Sequence, residues 1–140
     1  MGLSGNEQKL MMQALAGGPS LELLRGVELD GARWSPDGSE LMVRDTDSVK
    51  GSVRTHIVPH LGGVLRTLGS RAQGRCWMPD GSQIVTATQN SEADGGGIWL
   101  VNKQTGAETR IHAPEYKVLI DLDCSAKTGM LLLITKSTEN

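Results

Sequence analysis

Short apolar runs separated by turn-forming residues recur along the whole chain. Each run is long enough for a β-strand and is closed by residues typical of turns, which predicts an all-β protein built from hairpins. Two segments also fit helices, because residues 7–15 are good helix formers and residues 130–134 form a continuous apolar run. Their positions in the repeat described next favour strands.

One stretch of the sequence occurs twice. Residues 31–43 and 74–86 share six residue types at a constant offset of 43 positions. The shared Pro-Asp-Gly is typical of a type I turn, because proline presets φ at the second position and glycine accepts a positive φ at the end. An apolar run on each side of the turn completes a β-hairpin. We therefore assign a structural role in the repeat to Trp34, Pro36, Asp37 and Gly38 and to Trp77, Pro79, Asp80 and Gly81.

A second hairpin follows each copy of the first, at residues 55–68 and again at 98–111. Each repeat thus holds four short strands, A to D, and four antiparallel strands in roughly 40–45 residues are typical of a β-propeller blade. The pattern predicts twelve strands, or three blades, with the chain cut inside one blade. The predicted half-propeller domain, residues 1–140, has strands C–D at 9–26, complete blades at 27–69 and 70–112, and strands A–B at 117–136.

The sequence Trp-Ser-Pro-Asp-Gly is followed by an apolar strand, and then by a second apolar strand and Gly-Gly. This pattern resembles the TolB-type propeller repeat, which is also described as WD-repeat-like. The resemblance extends from about Lys9 to Ile134. It implies a propeller that is mostly six-bladed, as in periplasmic binding modules, sensor domains and the gating domains of some serine peptidases. The chain departs from the family by its three blades, its lack of an export signal and a last hairpin in which Cys124 takes the tryptophan position.

Three blades do not close a propeller ring, which needs about four to eight. An open arc would leave two apolar blade faces bare, whereas two copies would supply six blades. We therefore predict a homodimer in which the C-terminal strands A–B of one copy pair with the N-terminal strands C–D of another. The residues predicted at this interface are Leu10, Met12, Leu132 and Ile134. The alternative is that the chain is a piece of a larger propeller.

Composition narrows the choice of partners. The 140 residues carry a net charge of -2, and positive and negative residues are interspersed. The sequence has no basic patch of the kind that binds nucleic acid, so we predict no nucleic-acid partner. No apolar stretch approaches the length of a membrane span, and residues 1–7 lack the features of a signal peptide. The sequence predicts a soluble protein with no membrane partner and leaves its compartment open, although relatives of the resembled family are often extracytoplasmic.

The two cysteines, Cys76 and Cys124, do not form a Cys-x-x-Cys pair, and two cysteines do not make a disulfide framework. We expect two buried thiols that act as small hydrophobic residues, in preference to a disulfide or a reactive thiol.

Motifs for catalysis or metal binding are weak. His56 and His60 would share one face of a strand but lie about 13 Å apart, too far for one ion. Residues 45–51 begin like a calcium loop but lack its closing acidic residue, and the glycine-rich residues 92–97 lack the strand-to-helix setting of a phosphate loop. Gly-x-Ser-x-Gly is absent. We predict no metal, no cofactor and no catalytic residue.

Charged residues at the starts of the A strands are the candidates for a ligand site in the central channel: Arg33, Arg75, Asp121 and Asp123. Structural ion pairs among them are the simpler explanation. The predicted function is a non-enzymatic binding or assembly module whose partners are a second copy, another protein or a small ligand. The alternatives are a structural propeller fragment without a ligand, and an enzyme-associated propeller with a hydrolase or lyase site in the channel.

Overall fold

The computed structural model describes residues 7–47, 49–68, 72–92, 95–125 and 127–136. These residues form strands and turns and no helix, so the all-β prediction is confirmed. Accordingly, no helix that could cross a membrane is found among them.

Eleven strands run through the described residues, and every pairing between them is antiparallel. In chain order they are β1 (Glu7–Met12), β2 (Leu21–Trp34), β3 (Glu40–Thr46), β4 (Val53–Pro59), β5 (Arg66–Leu68), β6 (Gln73–Trp77), β7 (Gln83–Ala87), β8 (Ile98–Asn102), β9 (Glu108–Ile111), β10 (Val118–Cys124) and β11 (Leu131–Lys136). They build a five-stranded sheet β1–β5, a four-stranded sheet β6–β9 and a two-stranded sheet β10–β11.

Strand β2 accounts for the difference between the twelve predicted strands and the eleven observed. It is fourteen residues long and passes through the D position of one repeat and the A position of the next without a break. Its pairing with β3 shifts register twice, between Val27 and Asp30 and between Asp30 and Arg33. Glu28 and Gly31 have positive φ values of 54° and 67° in this stretch. These irregularities bend the strand, so that its two halves serve different hairpins.

Strands β3, β4 and β7 bury side chains on both faces, because successive side chains point in opposite directions. In β3, Met42 faces one neighbouring layer and Leu41 and Val43 face the other. Three apolar clusters result. The N-terminal cluster contains Leu41, Val43, Val58, Leu10, Leu23, Leu24 and Leu65. The central cluster contains Met42, Ile57, Leu68, Ala72, Trp77, Ile84, Trp99 and Val101. The C-terminal cluster is formed around Cys76, Val85, Ala87, Ile98, Tyr116, Leu119 and Leu122.

The expectation of two free thiols is wrong, because Cys76 and Cys124 form a disulfide. The cysteines lie 48 residues apart in sequence, but β6 and β10 are neighbouring inner strands and bring their Cα atoms to 5.8 Å. That separation lies within the usual range for a disulfide. A count of cysteines could not reveal this proximity, which depends on the stacking of successive repeats.

Reduction of this disulfide is expected to lower the free energy of unfolding by about 2–4 kcal/mol, because it releases a closed loop of 48 residues. The hairpin β10–β11 depends most on the cross-link, since an isolated two-stranded sheet is marginally stable. Urea unfolding with and without a reductant measures the effect. A variant with both cysteines replaced by serine is the control, and it should not respond to the reductant. An unchanged midpoint for the native sequence on reduction would contradict this assignment.

Candidate ligand pocket and open sheet faces

The two Pro-Asp-Gly turns are closed by an aspartate that accepts hydrogen bonds from neighbouring serines. Asp37 Oδ1 accepts from Ser39 N at 3.0 Å, from Ser39 Oγ at 2.7 Å and from Ser35 Oγ at 2.9 Å. Asp80 Oδ1 accepts from Ser82 N at 2.9 Å and from Ser82 Oγ at 2.8 Å. These bonds lower the pKa of both carboxyls, with the backbone N–H of the following serine as the largest cause. The pKa of Asp37, which has one bond more, falls to about 2.

The depressed pKa of Asp37 predicts a loss of stability in acid. A carboxyl whose folded pKa lies below its unfolded value of about 3.9 stabilises the fold above that pH, and its contribution disappears as the pH falls toward 2. We therefore expect the difference in unfolding free energy between the native sequence and Asp37→Asn to be largest above about pH 4 and to shrink between pH 4 and 2. Urea unfolding across this range tests the prediction. A difference that does not change with pH would contradict it.

The two tryptophans of the repeat have different surroundings. Trp77 is 5% exposed in the central cluster, where its Nε1 donates to the Arg33 carbonyl at 3.1 Å and the Lys103 ammonium lies 5.6 Å from its ring centre. Trp34 occupies the same place in the preceding repeat but is 52% exposed. The face of Trp77 is covered by residues of β3 and β4, whereas no A–B hairpin among the described residues covers Trp34. The N-terminal side of the structure is therefore an open sheet face.

The C-terminal side has a matching open face. In the repeat, Leu132 of β11 corresponds to Met42 of β3 and Val85 of β7. The residues one position earlier are paired with the residues at the tryptophan position of the repeat: Leu131 with Cys124, Leu41 with Trp34 and Ile84 with Trp77. Met42 and Val85 are fully buried against the next layer, but Leu132 is 72% exposed. The neighbouring outward residues Ile120 and Ile134 are also exposed.

Two unpaired strand edges accompany these open faces. In the four-stranded sheet, the B strand β7 pairs with the C strand β8. In the described residues β11 holds the B position but has no C strand beside it, and β1 holds the C position but has no B strand. An unpaired edge exposes backbone N–H and C=O groups that can accept another strand.

An apolar hollow lies next to the first open face. It has a volume of about 240 Å³ and is lined by Leu10, Met11, Met12, Gln13, Leu23, Ala32, Trp34 and Leu41. Two of the residues predicted at the subunit interface, Leu10 and Met12, thus line one hollow. The other two, Leu132 and Ile134, lie on the open face of β11.

The four charged residues predicted to line the channel do not converge on one cavity. Arg33 and Asp123 line a small cavity of about 130 Å³ beside the disulfide. Arg75 lines a separate pocket. The exposed carboxylate of Asp121 acts on Arg75 only through its charge, and no ion pair is formed between them. This separation removes the geometric support for a catalytic constellation made from these four side chains.

The pocket at Arg75, which we call the inter-sheet pocket, lies where β2 and β3 meet β6. It has a volume of about 430 Å³ and is lined by Gln8, Glu28, Leu29, Asp30, Arg44, Thr46, Val53, Gln73, Arg75 and Gln89. Gly31 allows the Arg44 guanidinium to lie against the backbone, because a Cβ there would be 2.8 Å from its Nη2. Sequence reasoning found Arg75 but missed Glu28, Arg44 and the glutamines, which come from β1, β2, β3, β6 and the loop after β7 and share no motif.

A chain of polar groups lies behind β4. His56 Nε2 contacts Asp45 Oδ1 at 2.8 Å and His56 Nδ1 contacts Thr67 Oγ1 at 2.8 Å. Arg54 donates two bonds to the Asp45 carboxylate. The order carboxylate, imidazole, hydroxyl also occurs in nucleophilic triads, but here Asp45 and His56 are buried and tie together β3, β4 and β5. His60 is held elsewhere, with Nδ1 2.8 Å from the Ser39 carbonyl.

No family model matches the sequence, and no curated protein matches it either. Among solved structures, that of a protein provisionally identified as TolB from Agrobacterium tumefaciens is similar, with a TM-score of 0.62 and 22% sequence identity. The chain has a TolB-like fold. The match covers 84% of this chain and 43% of that chain, so the matched part spans less than half of that chain's length. At this identity the likeness shows the fold and no activity.

The TolB-like fold supports the resemblance predicted from the Trp-Ser-Pro-Asp-Gly repeats at the level of architecture. Among the described residues, no group of three or more His, Cys, Asp or Glu side chains is placed to hold a metal ion.

Proposed function

We propose that this protein is a non-enzymatic assembly scaffold, in which two copies complete a six-bladed ring by sharing strands. The observation that carries the proposal is the pair of complementary open faces at Trp34 and Leu132. In the central cluster, Met42 and Trp77 of successive repeats are buried together. Leu132 stands at the position of Met42, and Trp34 at the position of Trp77. Leu132 of one copy would therefore cover Trp34 of the other.

The strand edges support the same arrangement at residue level. Met42 is opposite Ile57 across β3 and β4, and Val85 is opposite Leu100 across β7 and β8. Met12 holds the position of Ile57 and Leu100 in the first repeat, because the turn after β1 and the turn after β4 are closed by the same hydrogen bond, from Gly17 N to the Ala14 carbonyl and from Gly62 N to the Pro59 carbonyl. Pairing of β11 with β1 of a second copy in this register places Leu132 beside Met12.

The remaining predicted interface residues follow from the same register. Arg44 is opposite Thr55 and Ala87 is opposite Ile98, and the corresponding pair is Ile134 with Leu10. Leu132 then enters the apolar hollow at Trp34, which removes two large exposed side chains from water. Burial of apolar area at roughly 25 cal/mol per Å² drives such an association.

The size of the fold neighbour is consistent with two copies in one ring. The match covers 43% of that chain, so the matched parts of two copies together amount to slightly less than its length. A two-fold ring would contain the β11–β1 junction twice and would leave none of the strand edges at β1 and β11 unpaired. Two observations support the non-enzymatic character. The four charged residues predicted to line the channel do not share one cavity, and Asp45 and His56 are buried in contacts that hold β3, β4 and β5 together.

Sedimentation equilibrium of the pure protein tests the proposal. The account predicts a mass of twice 15.0 kDa. A mass of one chain over the whole concentration range would contradict assembly between copies. Hydrolytic or lyase activity that survives purification to homogeneity would contradict the non-enzymatic part of the proposal.

A further inference from the structure

Arg75 in the inter-sheet pocket is a largely desolvated cation without an anionic partner. Its Nη2 donates to Gln73 Oε1 at 3.0 Å and to the Ala87 carbonyl at 3.3 Å, and its buried Nε has no acceptor. Within the described part of the chain, no carboxylate lies within ion-pair distance of it. Burial and then the charge of Arg44 lower its pKa. The preceding repeat has Ala32 here, so the repeat framework does not require a cation.

Glu28 is the complementary group in the same pocket. Its carboxylate accepts one hydrogen bond, from Thr46 Oγ1 at 2.9 Å, and no described cation lies within ion-pair distance of it. Among the described residues it is the one non-glycine residue with a positive φ, at 54°. Such a conformation is uncommon for a residue other than glycine and is found preferentially at functional sites.

The other two charges of the inter-sheet pocket neutralise each other. Arg44 Nη2 and Asp30 Oδ2 form an ion pair at 2.8 Å, with the Arg44 side chain mostly buried. The pocket is thus left with one unpaired cation at Arg75 and one unpaired anion at Glu28. An arginine guanidinium matches a planar carboxylate through parallel N–H donors, and a carboxylate matches an ammonium group.

We propose that the inter-sheet pocket binds a small zwitterion, a free α-amino acid, with its carboxylate on Arg75 and its ammonium group on Glu28. The volume of about 430 Å³ lies within the range of small-molecule sites, and Gln73 and Gln89 supply further polar groups. Every lining residue comes from one chain. The site therefore does not depend on the proposed ring, and either proposal can fail without the other.

An NMR titration of the full chain tests the site. The probes are a panel of free α-amino acids that begins with glycine, and the N-acetyl and amide derivatives of each. The free amino acids are expected to shift the Arg75 side-chain resonance and the backbone amides of β6. Each derivative, which lacks one charge, is expected to bind about tenfold more weakly or worse, since a hydrogen bond to a charged group contributes about 1.5–3 kcal/mol. No shift from any free amino acid overturns the proposal. Equal binding of the N-acetyl forms overturns the zwitterion assignment.

Matched variants separate ligand binding from a structural role. Arg75→Met keeps the length of the side chain and is expected to abolish the shifts without lowering the unfolding midpoint, because it removes an unpaired buried charge. A lowered midpoint would indicate a structural role for Arg75 and contradict the proposal. Glu28→Gln is expected to lose the preference for free amino acids over their N-acetyl forms. Arg33→Met, in the small cavity beside the disulfide, is the control and should bind as the native chain does.

Discussion

Replacing Leu132 by aspartate is expected to convert the proposed dimer into a monomer. In the single chain Leu132 is 72% exposed, so the substitution leaves the fold intact. In the ring the new carboxylate would be buried against Trp34 of the second copy, close to Asp123 on the paired strand. A buried charge without a partner costs about 3–5 kcal/mol, and the ring contains this junction twice. The dissociation constant should rise by about a hundredfold or more, as measured by sedimentation.

Val64→Asp is the matched control for this experiment. Val64 is 86% exposed in the connection between β4 and β5, and it lies outside the proposed junction. The same change of chemistry at this position should leave the mass at two chains. A dimer that survives Leu132→Asp, or one that Val64→Asp also disrupts, would contradict the assigned interface.

The second large effect is expected from Trp77→Ala, which should lower the free energy of unfolding by about 3–5 kcal/mol. Trp77 is 5% exposed, and its removal leaves a cavity in the central cluster and a carbonyl without its donor. The measurement is urea unfolding in the Leu132→Asp background, in which the chain is expected to be monomeric, so that association does not contribute.

Trp34→Ala is the control within the same repeat. Because Trp34 is 52% exposed in the single chain, its removal in that background should cost about 1 kcal/mol or less. In the native background it should weaken the dimer instead. Equal losses from the two substitutions in the monomer would show that Trp34 is already covered within one chain, which would contradict the open face.

The repeat made the architecture predictable. The sequence Trp-x-Pro-Asp-Gly occurs twice with apolar runs on both sides. This pattern indicates antiparallel hairpins, because proline and glycine favour the turn and short apolar runs beside a turn form β-strands. The continuous strand β2 was not predictable in this way. Its bends at Glu28 and Gly31 depend on packing against β1 and β3, which no local pattern records.

The candidate sites were less accessible from sequence. The Cys76–Cys124 disulfide and the inter-sheet pocket both join residues that are far apart in the chain and meet only when repeats stack. One signal was present, since Arg75 replaces the Ala32 of the preceding repeat at a position where the framework needs no charge. Differences between aligned repeats are thus a better guide to a site here than any single motif.

The proposed sharing of strands between copies is tested most directly by intermolecular NOEs in a mixture of isotope-labelled and unlabelled protein. The account predicts contacts between Leu132 of one copy and Trp34 and Met12 of the other, with β11 antiparallel to β1. A dimer that shows no contact between these residues, or contacts from another surface, would contradict it.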